Sequence, residues 1–408
     1  MKKQSFSNKI NVLVFTTWSF YDALIQTYTL PYLKLIKKQL PEGSSIHFIT
    51  LEQSGQRKSA APTEDYTWFT LPYHRFGAKA FIHWIYSLYQ IKKYIQKNKI
   101  NVFHSWCTPA GMIAWFFHRK NRTFFIADSF EPHAHSMVEN GTWKSNSIAF
   151  KLLKHFEKKI IQNADEIITI APGMEHFMKQ NYGLNRKIIY VKPAAVNLGT
   201  FSILNRKNDS LIQKYQLEDK TVMVYAGKFG GIYLNDEIFD FCNVCFQHWN
   251  DKIRFLFLTS EQKELLLHKA KERNIPEKNF IIEFVPHDQI ANMMGLADFA
   301  LCPVKPVPSK KYCSPIKTGE YWALGLPVII PSNISNDSEI IAQNNAGYVW
   351  KEISEKEFLN SIHFIEELIS KNSIQNLYAQ IRPLAEKYRN FSNAENIYQS
   401  IYSKLTSN

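Results

Sequence analysis

Residues 312–331 read YCSPIKTGEYWALGLPVIIP, an order of residue types that sets out a loop, a short helix and a buried strand. Ser314 suits an N-cap and Pro315 the first helical position, while Gly325 and Pro327 stop the helix before the apolar run Val328 to Ile330. Lys317 then falls in the first turn, where a cation opposes the helix dipole at a cost of about 0.3 to 1 kcal/mol. A bound phosphate would reverse that sign. Glu320, three residues on and on the same face, offers two acceptor oxygens suited to the paired hydroxyls of a ribose. Together these features point to a bound nucleotide, although an ordinary α/β helix with a solvated lysine and glutamate has the same spacing.

Outward from this stretch, short β-rich runs alternate with amphipathic segments. INVLVFTTW (10–18), SIHFITLE (45–52), YTWFTLPY (66–73), INVFHSW (100–106), RTFFIAD (122–128), EIITIAP (166–172) and KIIYVKP (187–193) fill the first half. Alternation of this kind predicts a parallel sheet with helices on both faces. Between 198 and 220 the pattern lapses into polar residues. It restarts with TVMVYAG (221–227), IRFLFLTS (253–260), NFIIEFVP (279–286), FALCPV (299–304) and PVIIP (327–331). The expectation is α/β throughout: two Rossmann-like doubly wound domains, 1–200 and 201–385, with a terminal helix, 386–408, returning to the first. Ligands of such sheets bind outside the carboxyl ends of the strands, so the informative residues should follow the strands.

A chain of 408 residues exceeds what one core usually supports, and 45% apolar with 21% charged residues is a globular composition. No run of 18 apolar residues occurs, and the basic start passes directly into a strand-like run without a cleavage site, which predicts a cytoplasmic protein. The five cysteines, 107, 242, 245, 302 and 313, read as reduced thiols, because the Cys242-x-x-Cys245 pair sits in an apolar helical pattern with no second pair to complete a zinc site. The formal charge of +13 favours an anionic partner: a nucleotide, a lipid surface or a nucleic acid.

Several motifs stand at strand ends. Gly227, Lys228, Phe229, Gly230 and Gly231 form a turn in which glycines let backbone amides approach a ligand and a lysine can neutralise phosphate. It is neither a Walker loop nor GxGxxG. The loop Glu283 to His287, through Pro286, could hold a base by its backbone. Ser129 to His135 is dense in titratable groups: Glu131, His133 and His135 could form a hydrogen-bond network for a sugar or act as acid and base, and no Cys/His set beside them suggests a metal. His104, Trp18 and Asp22 complete the polar groups at strand ends of the first domain. Residues 75–99 place Phe81, Trp84, Ile85, Leu88 and Ile91 on one side with a basic end. With 143–159, they are the segments suited to rest on an anionic membrane.

On four segments the chain resembles a GT-B fold glycosyltransferase of the large retaining group called family 4: ADEIITIAPGM (164–174), VKPAAVNLGTF (191–201), VYAGKFGG (224–231) and SPIKTGEYWALGLPVI (314–329). The resemblance implies two domains facing a central cleft, a nucleotide-diphosphate sugar (UDP- or GDP-linked) in the second and a glycan, lipid-linked or small-molecule acceptor in the first. It also implies retention of configuration, without a required metal or other cofactor. Glu320 then resembles the ribose-binding glutamate and Lys228 the cation on the donor phosphates. Gly227, Gly230 and Gly231 form the phosphate-facing loop, and Ser314 and Lys317 are phosphate or sugar contacts. Tyr312 stands where many members carry a second glutamate, Leu234 and Asn235 where a second basic residue is common, and Trp18 to Asp22 replace a glycine-rich loop. Lys228, Glu131 and His133 are the expected catalytic groups, and Trp18, Asp22, His104 and His135 the expected acceptor contacts. The rival readings are a nucleotide-sugar epimerase or hydrolase on the same fold, or a basic nucleic-acid-binding protein, whose recognition motif is absent.

Overall fold

A computed structural model of the chain describes residues 9–22, 24–53, 63–73, 78–121, 123–184 and 189–406. It divides into two compact units, one of residues 1–138, 142–192 and 392–408, the other of 139–141 and 193–391.

In the first unit seven strands pair in parallel: β1 Asn11–Phe15, β2 Ser45–Glu52, β3 Thr67–Pro72, β4 Val102–Trp106, β5 Phe124–Phe130, β6 Glu166–Thr169 and β7 Tyr190–Val191. Their order is β3-β2-β1-β4-β5-β6-β7, so the chain reverses direction across the sheet between β1 and β4. All seven expected runs became strands, because a parallel sheet covered on both faces demands near-continuous apolar sequence. Leu13, for example, pairs with His47 on one side and Phe103 on the other.

The second unit repeats the plan with β8 Thr221–Ala226, β9 Ile253–Leu258, β10 Phe280–Glu283, β11 Phe299–Leu301, β12 Val328–Pro331 and β13 Gly347–Trp350, ordered β10-β9-β8-β11-β12-β13. The sequence pattern does not predict β13. It is four residues long, half-buried in the middle, and begins at Gly347, where a Cβ would lie 2.0 Å from the Val328 carbonyl oxygen. The polar stretch 198–220 is also more ordered than its composition suggests. It holds a helix, Asp209–Tyr215, capped by the Asn208 side chain on Leu211 N, and Arg382 grips the carbonyls of Leu198, Phe201 and Ala323 at 3.0, 2.6 and 2.9 Å. Its polar residues are caps and turn formers rather than a solvated linker.

The helix Ala78–Lys97 differs from its predicted amphipathicity. Ile91 is buried, Trp84 and Leu88 are half-buried, and the side chain of Phe81 lies outside the described residues. Ile82 at 68% exposure, Ile85, Tyr86 and Tyr89 instead face outward, beside exposed Lys92 and Lys93. One face meets the sheet and a second, also apolar, does not.

Candidate functional site

In the second unit the site is built where β8 and β11 end and the helix Ile316–Ala323 begins. The N-cap of that helix is Pro315, one residue later than the sequence predicts. Ser314 is drawn away from capping: its hydroxyl oxygen accepts from Ala194 N at 2.9 Å and from the Arg389 guanidinium. Arg389 in turn donates to both oxygens of Asp337 at 2.6 Å, a pair that is almost wholly buried. Ser314 therefore ties the start of the helix to Arg389, and its oxygen is engaged before any ligand arrives.

Lys317 emerges from the first turn and is only 8% exposed. Its ammonium lies 3.8 Å from the Tyr233 ring centroid and 4.8 Å from that of Tyr225, and among the described residues it has no hydrogen-bond partner. The rings attract the cation but supply no counter-charge. Directly above it runs the glycine turn. At Gly227 the backbone φ is +150°, which favours glycine, and a Cβ there would sit 2.7 Å from Lys317 Nζ and displace the end of that side chain. Gly230 and Gly231 lie in the left-handed region, with φ of +73° and +61° and open space where a Cβ would point. The turn is braced from below, the Tyr225 hydroxyl donating to the Lys228 carbonyl and Ala226 N donating to the Tyr321 hydroxyl at 3.0 Å. These buried tyrosines carry no motif signal, although two polar tips in strongly apolar runs are a hint. The Lys228 side chain is exposed.

Glu320 is one turn beyond Lys317. Burial pushes its carboxyl up to about 7, with Lys317 acting in the opposite direction. Tyr312 closes the short 3-10 turn Pro308–Tyr312 and is half-buried. Pro286 follows β10, and its carbonyl already accepts from Gln289 N at 3.0 Å within a local turn.

In the first unit the groups at the strand ends separate into a sealed network and an open pair. His104, expected to meet an acceptor, is fully buried. One ring nitrogen is 2.8 Å from Asp128 Oδ2 and the other 2.9 Å from the Tyr402 hydroxyl. Lys192 lies 3.0 Å from Asp128 Oδ1 and donates to the Tyr398 hydroxyl at 2.9 Å, while Tyr398 donates to Asp128 Oδ2 at 2.9 Å. His104 lies in the middle of β4 rather than at its end, and the helix Phe391–Thr406 lays two tyrosines over it. A bulge aims Asp128 inward: the β5–β6 register shifts between Ala127 and Phe130, and Ser129 takes a φ of +52°. Burial works to raise the Asp128 carboxyl, but Lys192 and His104 outweigh it and hold the group well below the usual carboxylate range.

Glu131 and His133 remain accessible, 25% and 28% exposed at their side chains, with carboxylate and imidazole 3.6 Å apart. His135 lies on the same helix two residues beyond His133. Its half-buried ring packs edge-on between Phe150 and Phe177, 5.5 Å from each. Trp18 is exposed, and its loop is held by the buried Glu52, which accepts from Ser19 Oγ at 2.6 Å and Phe20 N at 2.7 Å. Asp22 accepts from Leu24 N at 2.8 Å, so its carboxylate starts the next helix. Sequence reasoning passed over Glu52, Asp128, Lys192 and Glu157. Their common signal is a charge set inside an apolar run. Among the described residues no cluster of His, Cys, Asp or Glu is arranged to hold a metal.

A Rossmann-like parallel sheet in each unit is the architecture of the GT-B fold. Residues 245–399 match the family described as Glucosyltransferase 3-like, C-terminal domain. That segment, about two-fifths of the chain, is similar to a glucosyltransferase domain, and the whole chain has the GT-B fold. It is similar over 97% of its length to 99% of sucrose-phosphate synthase from Thermosynechococcus elongatus, with 13% identity and a TM-score of 0.74. It resembles WaaG, a glycosyltransferase involved in lipopolysaccharide biosynthesis, at 10% identity and a TM-score of 0.71, covering 98% of this chain and 100% of that one. The Anabaena protein HepE in complex with UDP-glucose aligns at 10% identity and a TM-score of 0.70, over 97% of this chain and all of that chain (100%). No curated protein is similar to the chain in sequence.

Proposed function

We propose that the chain moves a sugar from a nucleotide-diphosphate sugar, UDP- or GDP-linked, to a glycan, lipid-linked or small-molecule acceptor with retention of configuration, in the synthesis of a bacterial surface polysaccharide or glycoconjugate. The observation that carries this reading is the Lys317 ammonium, more than nine-tenths buried and, among the described residues, without a hydrogen-bond partner, beneath the Gly227–Gly231 turn. A diphosphate supplies the missing charge. Glu320 then takes the ribose hydroxyls, with Ser314, Tyr312 and the Pro286 loop around the rest of the donor. HepE, which has the same fold, was solved with UDP-glucose.

In this mechanism Lys228, Lys317 and the turn's amides stabilise the charge growing on the leaving diphosphate, the kind of electrostatic preorganisation that usually contributes most to catalysis. In the front-face route for retaining enzymes the leaving phosphate itself accepts the acceptor's proton, so no protein base is required, and Glu131 with His133 orients the sugar or acceptor. No step of it calls for a metal. Lys228→Ala is expected to lower turnover by more than about a hundredfold, roughly 3 kcal/mol of transition-state stabilisation. Near-normal transfer by that variant would sink the assignment. Donor consumed at full rate without any acceptor would instead mark a hydrolase or epimerase.

Glu320 gives a pH dependence whose sign follows from its raised value near 7. In the free protein the protonated form is favoured, so this carboxyl contributes stability at low pH that is lost as pH rises through about 7. Ribose hydroxyls need the ionised acceptor. Nucleotide affinity should therefore weaken as pH falls below about 7, approaching tenfold per unit. Calorimetric titration with UDP and GDP at several pH values checks this, and a flat profile identical to that of Glu320→Gln refutes it.

The second apolar face of the Ala78–Lys97 helix, with exposed Lys92 and Lys93, and the exposed Ile148 and Leu152 of the Ile148–Asn163 helix, support peripheral attachment to an anionic membrane surface. No helix among the described residues is long and apolar enough to cross a membrane. Flotation with vesicles containing anionic lipid should carry the protein upward, and Ile82→Glu with Tyr86→Glu should leave it at the bottom. Equal flotation of the variant counts against this face.

A further inference from the structure

Glu157 is a carboxylate that the mechanism leaves unused, and it has no exposed surface. It stands on the helix Ile148–Asn163 in register with Leu153, Ile160 and Ile161, which are all buried, so an acid occupies a core position. Its Oε1 accepts the backbone N–H of Ala134 at 2.8 Å and its Oε2 accepts the Tyr182 hydroxyl at 2.6 Å. Ala134 is the second residue of the helix His133–Glu139. The first N–H groups of a helix have no partner within it, and the residue before this one, Pro132, has no side-chain oxygen to cap it. A carboxylate reaching in from a different helix serves instead.

Burying that charge is costly, and the surroundings show both sides of the balance. Desolvation raises the Glu157 carboxyl to about 7, while the bonds from Tyr182 and Ala134 and the field of His133 lower it and Glu131 raises it. A serine or asparagine at position 132 would cap the helix at far less cost. The acid is coupled both by backbone and by charge to the two groups placed at the reaction.

We infer that Glu157 is a positioning residue for sugar transfer, setting through the Ala134 N–H the backbone from which Glu131 and His133 face the substrate. This rests on the reading that Glu131 and His133 orient the sugar or acceptor. The Tyr182 hydroxyl fixes the rotamer of Glu157 from the opposite side.

The test compares Glu157→Gln and Tyr182→Phe with the wild-type protein in steady-state transfer, in calorimetric binding of UDP and GDP, and in NMR spectra of the histidine rings, with His133 assigned from His133→Asn. Glu157→Gln is expected to keep wild-type nucleotide affinity, to shift the His133 ring resonances, and to lower kcat between about tenfold and a hundredfold without a matching rise in donor KM. Tyr182→Phe, which retains the carboxylate and its bond to Ala134, should show a smaller fall in kcat in the same direction. Wild-type kcat and unmoved His133 resonances in Glu157→Gln overturn the inference. If Glu157→Gln does not fold, Tyr182→Phe decides: unchanged kcat in that variant overturns it equally. Normal transfer by both Glu131→Gln and His133→Asn would remove the pair from the reaction, a failure of the underlying reading that is visible without any change at Glu157.

Discussion

Lys317→Met is expected to melt at a higher temperature than the wild-type protein and to transfer sugar at least about a hundredfold more slowly. The two effects have one cause. In the free protein the Lys317 ammonium is buried against two tyrosine rings without a hydrogen-bond acceptor, and an unsatisfied buried polar group costs about 1 to 3 kcal/mol, more when charged. Its place in the first helical turn adds unfavourable dipole energy. Methionine fills a similar volume and removes both penalties. With a nucleoside diphosphate bound the balance reverses, because the cation then faces phosphate in a site with little water. Melting curves with and without UDP or GDP separate the two: ligand should raise the wild-type midpoint by mass action and leave the variant almost unmoved. A variant that is destabilised yet fully active would show that the lysine serves packing alone.

Asp128→Ala should cost about 3 to 5 kcal/mol, the range for leaving one member of a buried ion pair without its partner. Lys192 is the charge left behind, and His104 and Tyr398 lose their acceptor at the same time. Adding Lys192→Met ought to restore much of the loss, since the stranded charge is removed, and a double-mutant cycle by denaturant unfolding measures the coupling. The pH dependence has a definite sign. Asp128 is held below its unfolded value, so its contribution is present above the unfolded carboxylate pKa of about 4 and disappears as pH falls through the folded value. A wild-type protein whose stability does not fall on acidification, or an alanine variant as stable as its parent, contradicts this account.

What could be read from the sequence follows the range of the forces involved. Each strand buried on both faces was visible, because local composition alone decides it, whereas β13 was hidden: Gly347–Trp350 is half-buried in its middle and flanked by the polar residues Asn344, Asn345, Lys351 and Glu352. The start of the Ile316–Ala323 helix was off by one residue because Arg389, 75 positions from Ser314, takes the serine hydroxyl. His104, expected at a strand end facing an acceptor, lies mid-strand and sealed, and what covers it comes from Tyr402, 298 positions away. Lys317 and Gly227 were each picked out singly; that one lies directly beneath the other is a tertiary fact. The Ala78–Lys97 helix shows the opposite limit, where a buried and an exposed apolar stripe overlap in one periodic pattern.

The placement of Tyr398 and Tyr402 bears on how the chain is made. Synthesis runs from the amino end, and domains usually fold in that order as they leave the ribosome. Here the first sheet emerges with Asp128, Lys192 and His104 still facing water, since the helix that seals them, Phe391–Thr406, is translated only after residues 193–391. The amino-terminal unit therefore lacks this covering helix until the carboxyl-terminal unit has been translated. Nascent chains stalled before residue 398 should be cut by protease in the first unit more readily than the full chain.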